Sequence, residues 1–113
     1  MQPRELNYLL DMLNAAKLAQ DFVSGVDWKT FELELMRQAA VIRQIEIIGE
    51  AARRISTETR TTLSEIPWSK IIGMRNRLIH EYDDLDLEAI WDTTQIAVPE
   101  LVAILEKLIP ARQ

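Results

Sequence analysis

The chain reads Arg75-Asn76-Arg77-Leu78-Ile79-His80-Glu81-Tyr82 near the end of an apolar-periodic segment. These are the residues whose types and spacing could do chemistry. A guanidinium keeps its proton, so an arginine on an apolar stripe needs a partner. On a helical wheel, Trp68, Ile71, Ile72, Leu78 and Ile79 form such a stripe and Arg75 falls near its centre. Two readings stand side by side. Arg75 either pairs with a core carboxylate such as Glu50, or is held in a cleft for an anionic ligand. His80, the only histidine, lies four residues after Asn76 and shares its flank. It lies five residues after Arg75, about 140° around the helix, so one helix does not set the two face to face. Taken alone, His80 reads as a cap favoured by the helix dipole. Arg77 and Glu81 have the spacing of an exposed ion pair, and Tyr82 follows the expected helix end. Asp84-Leu85-Asp86 has the spacing of a metal-binding carboxylate pair but reads as connector and N-cap, since no Gly-Ser loop precedes it.

Four helices have to position this cluster. The first is expected over Arg4–Val23, where Leu6, Leu9, Leu13, Ala16 and Val23 keep helical spacing and Ser24-Gly25 ends the run. Asp27 is a fitting N-cap for a second, long helix over Trp28–Ile55. The apolar set of that helix is wide, which predicts burial on more than one side, one of them offered to a partner. Gly49 in its middle costs roughly 1 kcal/mol relative to alanine, and close approach of another helix would explain it. A Thr-rich stretch from Ser56 to Ser64 has room for a short helical turn. Pro67 suits the first position of a third helix ending at His80, and Asp86 caps a fourth over Leu87–Leu108. Pro99 should bend or split that helix, and Pro110 should stop it. The expectation is one all-α domain over residues 1–113, an antiparallel four-helix bundle with an extra short helical turn.

Composition narrows the class. Cysteine is absent, so disulfides and thiolate metal sites are excluded, and with one histidine a transition-metal site is disfavoured. The polar start Met1-Gln2-Pro3-Arg4-Glu5 has no signal-peptide character, and no apolar run approaches the ~20 residues of a membrane span. A cytoplasmic protein without membrane contact is the expectation. Formal net charge is −5, yet residues 36–77 hold eight basic side chains against four acidic ones. A basic centre between acidic ends could form a local phosphate site, although solvated helix faces produce the same pattern.

The eight-residue cluster resembles the R-x4-H-x-Y signature of HepT-like HEPN toxins. Ile47-Ile48-Gly49-Glu50-Ala51-Ala52 is similar to that family's second conserved block. Ile66-Pro67-Trp68 with Ile72-Gly73-Met74 is similar to its approach to the motif, and Trp91 with Val98-Pro99-Glu100-Leu101 to its last helix. The resemblance spans nearly the whole chain in order. It implies a HEPN-type helix bundle that forms a two-fold homodimer and has endoribonuclease activity. It also implies a neighbouring minimal nucleotidyltransferase (MNT) antitoxin that attaches AMP units to the motif tyrosine. Carried over, Arg75 and His80 are the catalytic pair, Asn76 supports them, and Tyr82 is the modified residue.

Physical chemistry accommodates that assignment. RNA brings its own nucleophile, the 2′-hydroxyl, so no metal or cofactor is needed in principle. His80 could act as general base or acid, and Arg75 could stabilise a phosphorane-like transition state. Two copies across a dimer axis could supply base and acid from different chains. A competing expectation uses the same residues without cleavage: a binding module that docks a nucleotidyltransferase and holds its nucleotide. A third is a structural dimer whose motif only stabilises helix ends.

Overall fold

A computed structural model describes residues 1–109 and, at Tyr82, the backbone alone. Seven helices follow one another: α1 Pro3–Val23, α2 Trp28–Leu33, α3 Leu35–Arg53, α4 Thr57–Thr62, α5 Trp68–His80, α6 Leu87–Asp92 and α7 Val98–Leu108. A 3₁₀ turn, Tyr82–Asp84, follows α5, and a π-helical segment, Thr93–Ala97, carries α6 into α7. Among the described residues there is no strand, and the fold is the expected all-α bundle.

Local signals set most boundaries. Asp27 accepts from the Thr30 amide at 2.9 Å and Asp86 from the Ala89 amide at 3.1 Å, each opening its helix as an N-cap. Gly25 takes φ 72° in the turn after α1. The Thr-rich stretch folds as α4, capped by Ser56, whose hydroxyl accepts from the Thr59 amide. Pro67 sits one residue before α5 rather than in its first turn.

Two expected helices differ from their sequence reading. The second is not continuous, because the backbone leaves helical geometry at Glu34 (φ −103°, ψ 92°). The Gln38 side chain donates to the Phe31 and Glu32 carbonyls, closing α2, while Arg37 donates to the Phe22 carbonyl and ties the start of α3 to the end of α1. The turn lets Phe31, fully buried, reach Trp28 and Trp91, with ring centroids 6.4 and 5.1 Å away. The fourth helix is divided ahead of Pro99 by the π-helical segment, with no non-helical residue between α6 and α7. Pro99 has no N–H, and the turn ahead of it widens so that the Val98 amide reaches the Thr93 carbonyl. α7 ends at Leu108; Pro110, expected as its stop, lies outside the described residues.

Helix directions follow from contacts at the two ends. Glu5, in the first turn of α1, accepts from the Ser56 amide just past α3, while Arg37 of α3 meets Phe22 near the end of α1. α1 and α3 therefore run antiparallel. The main core joins Leu9, Met12 and Ala16 of α1 to Ile48 and Ala52 of α3 and Leu105 of α7. A second cluster at the opposite end gathers Val23, Phe31, Val41, Ile45, Leu78 and Ile90. Each large side chain so buried contributes about 1.5–3 kcal/mol. Much of the wide stripe on α3 is thus covered from within the chain, by α1 on one side and α5 on the other. Ile42 and Ile47 stay half-buried, and Ile45 and Ile48 line an open apolar groove between α3, α5 and α7.

Candidate active site

α5 is fixed at both ends. Trp68 lies in the main core and its indole N–H donates to the Leu63 carbonyl at 3.1 Å, while Leu78 lies in the second cluster. Between these anchors α5 crosses α3 at Gly49. A Cβ there would stand 2.7 Å from Arg75 Cγ, nearer still to Arg75 Cβ, and 3.3 Å from the Ile71 carbonyl oxygen. The mid-helix glycine does admit a neighbouring helix, and the residue it admits is Arg75.

The crossing fixes where the guanidinium goes. Arg75 Nη2 is 2.9 Å from Glu50 Oε1, and Nη1 donates to Asn76 Oδ1 at 3.0 Å. The Arg75 side chain is 19% exposed, and its Nε is buried with no partner among the described residues. Glu50 is the partner that the structural reading of Arg75 anticipated. It is also shared with Arg53 (Nε 3.2 Å) and Arg54 (Nη2 3.1 Å). Hydrogen bonds from Arg53 and then Arg54, with the charge of Arg75, hold the Glu50 carboxyl below its ordinary pKa against the effect of burial. The Tyr8 hydroxyl and then Glu50 hold the Arg54 guanidinium above its own. Three arginines around one carboxylate leave the cluster positive, with the Arg75 tip partly reachable from solvent.

His80 is the last residue of α5 and is exposed, as is Asn76. Five residues separate it from Arg75, which on a helix is a rise of about 7.5 Å. Among the described residues no hydrogen bond joins Arg75 and His80. Arg77 and Glu81 do not form the expected ion pair. Glu81 is the C-cap of α5, with non-helical dihedrals (φ −118°, ψ 40°), and its amide donates to the Arg77 carbonyl while its exposed side chain takes another course. Tyr82 opens the 3₁₀ turn directly after the helix, and its side chain lies outside what the structure describes. Among the described residues no three His, Cys, Asp or Glu side chains gather where they could hold a metal ion.

Comparison with known proteins bears on this arrangement. The sequence profile of the family described as Ribonuclease HepT-like matches residues 12–108. This chain belongs to the HepT-like family. A probable ribonuclease HepT of Thermococcus cleftensis is 35% identical over 96% of this chain and 98% of its own length. Two proteins with provisional RNase names, from Methanocaldococcus jannaschii and Caldanaerobacter subterraneus, are each 36% identical over 83% of this chain and 86% and 84% of their own lengths. No solved structure gives a significant match. The HepT-like match includes both α3 and α5, and so takes in Gly49, Glu50, Arg75, Asn76, His80 and Tyr82. Sequence reasoning missed Arg53 and Arg54 as partners of Glu50 beside Arg75. Their three- and four-residue spacing from Glu50 was the available signal. Among the described residues no helix of this HepT-like chain is long and apolar enough to cross a membrane.

Proposed function

We propose that this chain is a metal-independent endoribonuclease toxin that cleaves RNA at a dimer cleft through Arg75 and His80, with Asn76 in support. The observation that carries the reading is Arg75. It is seated against Gly49 and held between Glu50 and Asn76, its tip open, at the end of a helix whose last residue is an exposed histidine. His80 takes the proton of the RNA 2′-hydroxyl, whose oxygen then attacks the adjacent phosphorus. The planar Arg75 fork receives the charge that builds on the phosphoryl oxygens. The partner's His80 gives a proton to the departing 5′-oxygen, leaving a 2′,3′-cyclic phosphate. A nucleotidyltransferase antitoxin of the MNT type neutralises the toxin by attaching AMP to Tyr82. The added phosphate repels RNA and competes for Arg75.

The test is digestion of RNA by the purified chain in EDTA, with His80→Ala as control. Cleavage to cyclic-phosphate ends that His80→Ala lacks is expected. Cleavage next to a 2′-deoxy residue would refute the mechanism. Coexpression with the cognate nucleotidyltransferase should add whole AMP units to the Tyr82 peptide, and Tyr82→Phe should stay unmodified and active. One observation favours a second reading: the Arg75 charge is already engaged by Glu50. RNA left intact, with nucleotide bound in an Arg75-dependent way, would make the chain a non-catalytic subunit of a nucleotidyltransferase complex.

A further inference from the structure

The seam between α1 and α3 holds a recess of about 270 Å³ beside the Arg75 cluster, with Tyr8 and Asp11 on one wall and Arg43, Ile47, Glu50 and Arg54 on the other. Glu50 lines the recess and pairs with Arg75, so the recess adjoins the candidate active site. Its chemistry is specific. Tyr8 is half-buried, and because it packs against the main core its ring is a fixed wall. Arg43 is 68% exposed and held only by Glu46 at 3.5 Å; Arg54 is 55% exposed. Two guanidinium groups, Arg43 and Arg54, and two carboxylates, Asp11 and Glu50, line the recess, and Arg53 and Arg75 also engage Glu50. With Glu50 shared among three arginines, Arg43 and Arg54 are the exposed cations of the recess.

We propose that this recess is a nucleotide subsite that takes one unpaired RNA base beside the scissile phosphate, stacked on Tyr8, with Arg43 and Arg54 on the adjoining backbone phosphate. The inference rests on the ribonuclease reading for its placement. Exposed guanidinium groups beside an aromatic wall are what unpaired nucleic acid uses, whereas a duplex keeps its bases stacked inside. Asp11 opposes a phosphate at its own edge of the recess. Its carboxylate instead accepts from an exocyclic amine, which favours adenine, cytosine or guanine over uracil.

The experiment is an anisotropy titration with a short, labelled, single-stranded 2′-O-methyl RNA, which cannot be cut through its 2′-oxygen, alongside cleavage of the unmodified sequence. Tyr8→Leu keeps volume against the core and loses the aromatic face; binding should weaken by about 5- to 50-fold. Tyr8→Phe should stay within about twofold of wild type. Arg43→Gln, on an exposed side chain, should weaken binding about 3- to 10-fold and lower the salt slope by about 0.7. Wild-type affinity in both Tyr8→Leu and Arg43→Gln overturns the subsite, as does absence of RNA binding by the wild-type chain. Binding with the expected dependence but no cleavage leaves the subsite standing and the ribonuclease reading fallen. Cleavage with no dependence on Tyr8 or Arg43 does the reverse.

Discussion

Gly49, Glu50 and Arg75 act as one unit, and each decides what a change at the others does. Arg75→Lys keeps the charge and removes the planar fork. Glu50 retains Arg53 and Arg54 and is 36% exposed, so the lost pair is worth only about 0.2–1 kcal/mol. Cleavage should fall by about 100-fold or more while the melting temperature moves by a few degrees, checked by initial rates beside a thermal melt. A melting temperature that collapses with the activity would make Arg75 a structural ion-pair residue. Gly49→Ala tests the opposite balance. Its Cβ meets the root of Arg75 and the Ile71 carbonyl rather than a flexible tip, so α5 has to move. Overpacking of this kind costs about 1–3 kcal/mol, a fall of roughly 5–20 °C for a domain of this size. Activity per folded molecule should fall as well, because Arg75 is displaced. The two anomalies at this crossing were legible in the sequence: a glycine inside a helix and an arginine on an apolar stripe. The sharing of Glu50 was less so, since helical spacing offers many arginine–glutamate pairs and says nothing about which converge.

At the scale of elements, caps were legible and a break was not. Asp27, Asp86 and Gly25 announce their positions because each satisfies a local backbone demand. The interruption at Glu34 has no glycine or proline to mark it. It arises from the demand of Phe31 for a place beside Trp91, which lies 60 residues further along the chain. The same holds for the staple between α1 and α4. Glu5 is buried, and its carboxylate accepts from the Ser56 amide at 2.6 Å and the Thr59 hydroxyl at 2.7 Å. Nothing in its position near the chain start predicts this. The Ser56 amide first and the Thr59 hydroxyl second hold the Glu5 pKa at about 2, below the ordinary 4.5. A carboxyl with a lowered folded pKa adds stability that is complete above about 4.5 and is lost as pH falls toward about 2. Glu5→Gln should therefore be less stable than wild type at neutral pH. The gap between their melting temperatures should close across that acid window. A constant gap down to pH 2 would show that Glu5 acts through packing alone.

The whole molecule is a slab of 42 × 32 × 19 Å, about two helices deep. A layer that thin covers α5 on the α3 side and leaves its motif-bearing edge open. Arg75 and His80 stand about 140° apart around that helix, and the proposed function completes the site with a second copy. Much of the apolar stripe of α3 is turned inward, against α1 and α5. Among the described residues Met1, Leu18 and Ile96 are exposed as single apolar side chains, and two further places bear on the contact. Leu33, Leu35 and Met36 crowd the break between α2 and α3 at 80%, 76% and 89% exposure; Ile79, at 42%, adjoins His80. Under the proposed shared cleft the two-fold contact falls at Ile79, because it adjoins His80. Stable association needs about 800 Å² from each partner, so a carboxylate set at its centre should break it. Light scattering should give twice the 13.1 kDa chain mass for wild type, and Ile79→Glu should be monomeric and lack cleavage while keeping its fold by circular dichroism. Met36→Glu should remain dimeric and active. If Met36→Glu is the variant that dissociates and Ile79→Glu stays dimeric, the two-fold axis lies at the helix break, far along α3 from Gly49. His80 would then have to act as base and acid within one chain.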